Sequence, residues 1–303
     1  MNIRQLARTL SKIENREGDY LKILADFYRR QRSVPVLGVT GPPGAGKSTL
    51  VDRFISLWRA EGKKVAVIAI DPSSPFTGGA VLGDRIRMQN HAGDDGVFIR
   101  SLGSRGVHGG LARATFDLKV SFDAAGFDRI VIETVGVGQT ELDITGIAKT
   151  TLVILVPEAG DVVQTLKAGL TEIADVFAVN KADREGGGDL ASMLKAIVEM
   201  GPPRSAGWTI PVCLTQGIRN VGIKELFQIL EKHFAWDSRG ERKRGEEIRK
   251  TMFLDLCQVR LQDSLKERFE KEKGLKKILE AVVNGEANPY EAIEKINLEC
   301  VTK

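Results

Sequence analysis

The chain has 303 residues, 42% hydrophobic and 28% charged, which is ample for a large buried core with appended elements. Its formal net charge is +4 and no basic block is interleaved with aromatic residues, so no nucleic-acid partner is expected. Cys213, Cys257 and Cys300 are odd in number and far apart, which argues against a disulfide framework and fits a reducing compartment.

No apolar run approaches the ~20 residues of a membrane helix. The N-terminal stretch mixes Glu14, Glu17 and Asp19 with Arg4, Arg8 and Lys12, unlike a signal or transit peptide. The expectation is a cytoplasmic protein with no membrane association.

In residues 1–33, Ile3, Leu6, Leu10, Ile13, Leu21, Leu24, Phe27 and Tyr28 fall at helical spacing. They predict an N-terminal helical extension of one or two helices beside the main domain. Residues 34–236 then alternate β-branched runs with helical stretches. The runs are Val36–Val39, Val65–Ile70, Val97–Ile99, Ile130–Ile132, Leu152–Val156, Val176–Val179 and Ile210–Leu214. Most are apolar without alternation, as strands covered on both faces are. The pattern predicts an α/β fold, a doubly wound, mainly parallel sheet whose ligands sit at the carboxyl ends of its strands.

After the first run comes Gly41-Pro42-Pro43-Gly44-Ala45-Gly46-Lys47-Ser48, followed by Thr49 and a predicted helix. Glycine, four residues, then Gly-Lys-Ser between a strand and a helix is the phosphate-binding P-loop. Its backbone N–H groups and the helix N-terminus converge on a phosphate chain. Lys47 reaches the β- and γ-phosphates, and the Ser48 hydroxyl ligates Mg²⁺. The bland reading, a glycine-rich turn with a surface lysine, is disfavoured by this context.

Asp71 ends the second run and opens a loop rich in Pro, Ser and Gly. Asp71 and Asp84 read equally as Mg²⁺-approaching acids of a nucleotide-sensing switch or as a helix cap and a surface acid. His108 lies in a glycine-rich turn, Ser104 to Gly110, where it can face a partner. His91 and His233 read as exposed helix residues. None of the three histidines has a Cys or His at ligand spacing. Glu133-Thr134-Val135-Gly136 ends the fourth run. Here the acid can hold a water of the Mg²⁺ shell, and Gly136 can offer its N–H to the γ-phosphate. The catalytic assignments are therefore Lys47, Glu133 and Gly136. Val137 stands where a water-positioning Gln commonly follows, with Gln139 two residues on. Slow intrinsic hydrolysis, improved when a partner reshapes the loop, is expected.

Asn180-Lys181-Ala182-Asp183 ends the sixth run. The aspartate accepts guanine's ring N–H and exocyclic amine, a donor pair adenine lacks, so the motif selects GTP and GDP over ATP. Thr215-Gln216-Gly217 occupies the place where a Ser-Ala backbone contact to the base is usual. Residues 237–303 are nearly half charged, yet Leu254, Cys257, Leu261 and Leu265 form a stripe, and Asn288-Pro289 starts a last helix. This arm is too thin to bury its apolar face alone, and packs on the nucleotide domain or on a second subunit.

Together these motifs resemble the MeaB/ArgK family of P-loop GTPases, chaperones of adenosylcobalamin-dependent acyl-CoA mutases. The likeness rests on Gly41–Thr49, Asp71–Gly79 with Gly83–Met88, Glu133–Gln139, Ala159–Asp161 with Gln164 and Lys167, and Asn180–Asp183. Outward it extends to Glu14-Asn15-Arg16 and to Asn288–Ala292. The chain departs from the family's His-Leu at Val107-His108 and from its Ser-Ala-Leu near Gln216-Gly217. The resemblance implies Mg²⁺ roles for Ser48, Asp71, Asp84 and Glu133. It also implies a homodimer built on the C-terminal arm, and a mobile segment around Gly160–Lys167 whose Gln164 and Lys167 report on an acyl-CoA mutase, methylmalonyl-CoA mutase by default. Two further classes are a metallochaperone GTPase of the hydrogenase or urease maturation type, which would want clustered Cys and His, and a transport-associated ATPase or kinase, which Asn180–Asp183 disfavours.

Overall fold

The computed structural model describes residues 2–71, 91, 93–103, 110–134, 147–158, 171–200, 207–237, 244–294 and 296. Seven strands are found where the apolar runs predict them: β1 (Val36–Thr40), β2 (Val65–Asp71), β3 (Val97–Gly103), β4 (Arg129–Glu133), β5 (Thr150–Leu155), β6 (Val176–Val179) and β7 (Val212–Leu214). They form one sheet in the order β3-β2-β4-β1-β5-β6-β7, and every pairing is parallel. From β1 the chain winds toward one edge, and from β5 toward the other. The switch in winding thus falls at β1 and β5, where such sheets open a crevice at the carboxyl end.

Both faces of the sheet are covered, which is why β1, β5 and β6 are buried at every position. The N-terminal helices are α1 (Ile3–Glu14) and α2 (Tyr20–Arg30), followed by α3 (Lys47–Ala60) and α4 (Gly110–Ala124). Then come the single turn α5 (Thr171–Ile173), α6 (Gly187–Met200) and α7 (Ile223–Asp237). Leu50, Val51, Phe54, Ile55 and Trp58 line one stripe of α3. They pack with Leu226, Leu230 and Phe234 of α7 on Leu37, Val39, Val67, Val131 and Ile154 of the sheet. Each such side chain contributes about 1.5–3 kcal/mol by leaving water. Trp58 Nε1 donates to Glu231 Oε1 at 2.7 Å, and Arg129 pairs with Glu231 Oε2 at 2.6 Å, so this layer closes with its polar edge satisfied. Burial pushes the Glu231 carboxyl up, but Arg129, Trp58 and Lys63 outweigh it and hold it below the ordinary range. On the β6 side, Leu190 and Leu194 of α6 pack with Val153, Phe177 and Val179.

The two N-terminal helices pack on α4. Asn2 caps α1 by accepting from Gln5 N at 2.8 Å while Gln5 Oε1 accepts from Asn2 N at 3.3 Å, a reciprocal capping box. Leu6, Leu10 and Ile13 are buried, and Glu14 takes a two-pronged ion pair from Arg100 of β3. The motif Glu14-Asn15-Arg16 thereby ties the extension to the sheet edge.

The chain divides into two compact units, Met1–Glu247 and Ile248–Lys303. The long helix α8 (Arg244–Lys271) leads into the second unit, which also holds α9 (Lys273–Val283) and α10 (Pro289–Glu294). Leu275 and Ala292 are its buried residues among those described, while Phe253, Leu254, Leu261, Leu279, Val283, Tyr290 and Ile293 are exposed. The predicted stripe lies along α8, and its Leu254 and Leu261 are exposed.

Candidate functional site

The site is built at the carboxyl edge of β1, β4 and β6. After Thr40 the backbone turns at Gly41, with φ at +140°, and passes so close to β5 that an added Cβ would lie 2.0 Å from Ile154 O. Only glycine fits there. Gly46 stands in the left-handed region with φ at +87°, and a Cβ on it would meet Asn180 Nδ2 at 2.4 Å. These two glycines let Pro42, Pro43, Gly44 and Ala45 curl over the start of α3, whose first residue is Lys47. Lys47 is buried, and its Nζ donates to Gly41 O at 2.8 Å and to Pro42 O at 3.0 Å. The ammonium therefore lies along the inner rim of the loop, where a phosphate chain would be cradled.

Ser48 follows on α3, and its Oγ donates to Glu133 Oε1 at 2.7 Å. Glu133 is 3% exposed and ends β4 in register with Val39 of β1. Thr134 N donates to Val39 O at 3.0 Å, and Thr134 Oγ1 to Thr40 Oγ1 at 2.9 Å, so the acid is fixed from both sides. A hydroxyl and a buried carboxylate are hard oxygen donors, the type Mg²⁺ takes. Asp71 closes β2 two positions past Ala69, which is in register with Glu133, so its backbone reaches the same edge. Asp84, His108, Gly136, Gln164 and Lys167 lie outside the described residues.

Asn180 connects the phosphate side to the base side. Its Nδ2 donates to Ala45 O at 2.8 Å, and its Oδ1 accepts from Gly217 N at 3.0 Å and from Thr215 Oγ1 at 3.3 Å. One side chain thus joins the P-loop, the end of β6 and the loop after β7. Ala182 N donates to Thr215 O at 3.1 Å, and Lys181 takes a left-handed φ of +55°, which turns the chain so that Asp183 follows on the rim. The Asp183 side chain is 36% exposed and lies 3.7 Å from Arg219 Nη1.

Two readings of the histidines are corrected. His233 is fully buried: its Nδ1 is 2.7 Å from Thr150 Oγ1, and its ring stands edge-on to Trp208 at 4.6 Å. The inward face of α7 carries it beneath the sheet, with Asp175 Oδ1 3.9 Å from Nε2. His91 is part-buried rather than exposed, and its Nε2 lies 3.1 Å from Asp52 Oδ1 in a mostly enclosed pair. Among the described residues, no group of three or more His, Cys, Asp and Glu is placed to hold a metal ion. Sequence reasoning also passed over Arg53 and Arg219, whose spacing carries no motif.

A parallel sheet with a P-loop at its winding switch, a hydroxyl–carboxylate pair beside it and an Asn-Lys-Ala-Asp turn defines a P-loop nucleotide hydrolase of the GTPase class. The model of the family described as methylmalonyl-CoA mutase-associated GTPase MeaB matches residues 6–273, and the chain belongs to that family, so it is a guanine-nucleotide-binding GTPase. A protein of Pyrococcus abyssi named as a GTPase is 45% identical over 306 residues, covering 98% of this chain and 93% of the relative. The methylmalonic aciduria type A homolog of Caenorhabditis briggsae is 32% identical over 239 residues, covering 75% of this chain and 57% of the relative. Among solved structures, the LAO/AO transport system kinase is similar in fold, with a TM-score of 0.64 and 23% identity over 97% of both chains.

Proposed function

We propose that this GTPase is a chaperone that gates adenosylcobalamin loading or protection of an acyl-CoA mutase, with methylmalonyl-CoA mutase as the default partner. The mutase is suggested by the family's name. One observation supports the nucleotide half: the Asn180 side chain bonds to the P-loop and to the loop after β7 at once, tying together the two segments that would take the phosphate and the guanine. In this reading Lys47 neutralises the β- and γ-phosphates, with the backbone from Gly41 to Thr49 around them. Ser48 and Glu133 hold Mg²⁺, joined by Asp71 and Asp84, and the ion supplies charge neutralisation on the phosphates. Gly136 offers its N–H to the γ-phosphate. Hydrolysis is slow alone and faster with the mutase. Gln164 and Lys167 couple the two sites, the protein is a homodimer through its C-terminal arm, and it works in the cytoplasm.

Calorimetric titration with GTP and ATP in the presence of Mg²⁺ tests the nucleotide half. Strong preference for GTP is expected, because adenine leaves Asp183 without its paired donors, a loss of ~1–3 kcal/mol or more. Equal affinity for the two would refute the site assignment.

A further inference from the structure

Guanine presents three groups on its pairing edge: the O6 acceptor, the ring N–H and the exocyclic amine. Asp183 answers the two donors and leaves O6. In a site with a Ser-Ala segment after the last strand, a backbone N–H supplies that bond. Here the corresponding N–H, on Gly217, donates to Asn180 Oδ1 at 3.0 Å. With that N–H engaged, a side chain beside Asp183 can serve as donor, and the geometry offers one.

Arg219 sits at the tip of a small hairpin. Gln216 and Val221 exchange hydrogen bonds at 3.0 Å and 3.3 Å, and Arg53 of α3 grips the turn from below, with Nε 3.2 Å from Gly217 O and Nη2 3.4 Å from Ile218 O. The hairpin is thereby tied to the helix that opens at the P-loop. Arg219 Nη1 is 3.7 Å from Asp183 Oδ2, yet its side chain is 67% exposed, so the guanidinium is held beside the carboxylate without being locked to it. At that exposure the pair itself is worth little in stability. Its value lies in pattern. A guanidinium donor next to a carboxylate acceptor reproduces, in order, the complement of O6 and the ring N–H, and arginine is the side chain most used to read guanine's O6.

We propose that Arg219 is a specificity-determining residue that donates a hydrogen bond to guanine O6 while Asp183 accepts the ring N–H and amine. The inference rests on the guanine reading of Asp183 given above. It makes discrimination at the purine 6-position a property of one exposed side chain, since the 6-amino group of adenine would face a donor.

The test compares three diphosphates, of guanosine, of inosine (which keeps O6 and the ring N–H but lacks the amine) and of 2,6-diaminopurine riboside (which keeps the amine but replaces O6 and, with it, the ring N–H). Arg219→Ala should weaken the guanosine and inosine nucleotides by about tenfold, the loss of one charge-assisted hydrogen bond. It should leave the diaminopurine nucleotide nearly unchanged, so the 6-position preference shrinks by the same factor, and Arg219→Lys should restore part of it. Equal weakening of all three would mean that Arg219 acts on loop structure or general electrostatics, and no weakening would mean a bare surface ion pair. Either result overturns the proposal while leaving Asp183 intact. If the wild-type chain does not prefer GDP to ADP, the guanine reading itself falls, and this inference with it.

Discussion

At the scale of single residues, the site depends on a few groups whose surroundings decide what they do. Lys47 is the cation held closest to the P-loop carbonyls. Lys47→Ala should reduce GDP affinity on the order of a hundredfold in calorimetry, whereas Asp183→Asn should weaken guanine nucleotides without strengthening adenine ones. Asp117 on α4 is a second informative residue, because burial drives its pKa up to about 6, only partly offset by Arg113. Between the ordinary value of 3.8 and about 6 the folded chain holds a proton there that the unfolded chain has released. Stability from this group is therefore fully present below about pH 4 and lost as pH rises to about 6, a change of about 3 kcal/mol. Denaturation of wild type and Asp117→Asn, whose neutral amide mimics the protonated acid, should show wild type losing stability relative to the variant as pH rises across that range; a constant difference would contradict the buried environment. His233 shows why some residues were illegible. Its polar side chain gave no sign of facing inward, and its partners Thr150, Asp175 and Trp208 come from three separate segments of the chain.

At the scale of elements, strands and motifs were readable because their signals are local. Unbroken β-branched runs mark a sheet covered on both faces, and the glycines of the P-loop report a backbone that only glycine can follow. What sequence could not give was the joining of elements. Asn180 is recognisable in its motif, but its bonds to Ala45 and Gly217 span more than a hundred residues on one side and a loop of unmarked composition on the other. Helix α3 carries both kinds of information, a phosphate-binding start and an apolar stripe. Phe54 is fully buried in that stripe, within 6.1 Å of Trp58 by ring centroids. Phe54→Ala should cost about 3–5 kcal/mol in chemical denaturation, whereas Leu261→Ala on the exposed face of α8 should change the stability of the isolated chain by less than about 0.5 kcal/mol.

At the scale of the whole molecule, the two compact units divide the work proposed here. The first holds the nucleotide site. The second exposes Phe253, Leu254 and Leu261 along one helix. If that face joins two copies, the double substitution Leu254→Asp with Leu261→Asp should convert a dimer into a monomer in sedimentation analysis and leave GDP affinity unchanged. Persistence of the dimer would place the interface elsewhere. Whether nucleotide turnover answers to an acyl-CoA mutase is read from GTP hydrolysis measured with and without the purified adenosylcobalamin-dependent mutase from the same source. Slow turnover alone and marked acceleration with the mutase are expected, the acceleration reduced in Lys167→Ala and Gln164→Ala although both still bind GTP; turnover indifferent to the mutase, with no complex formed, would contradict a mutase-coupled GTPase.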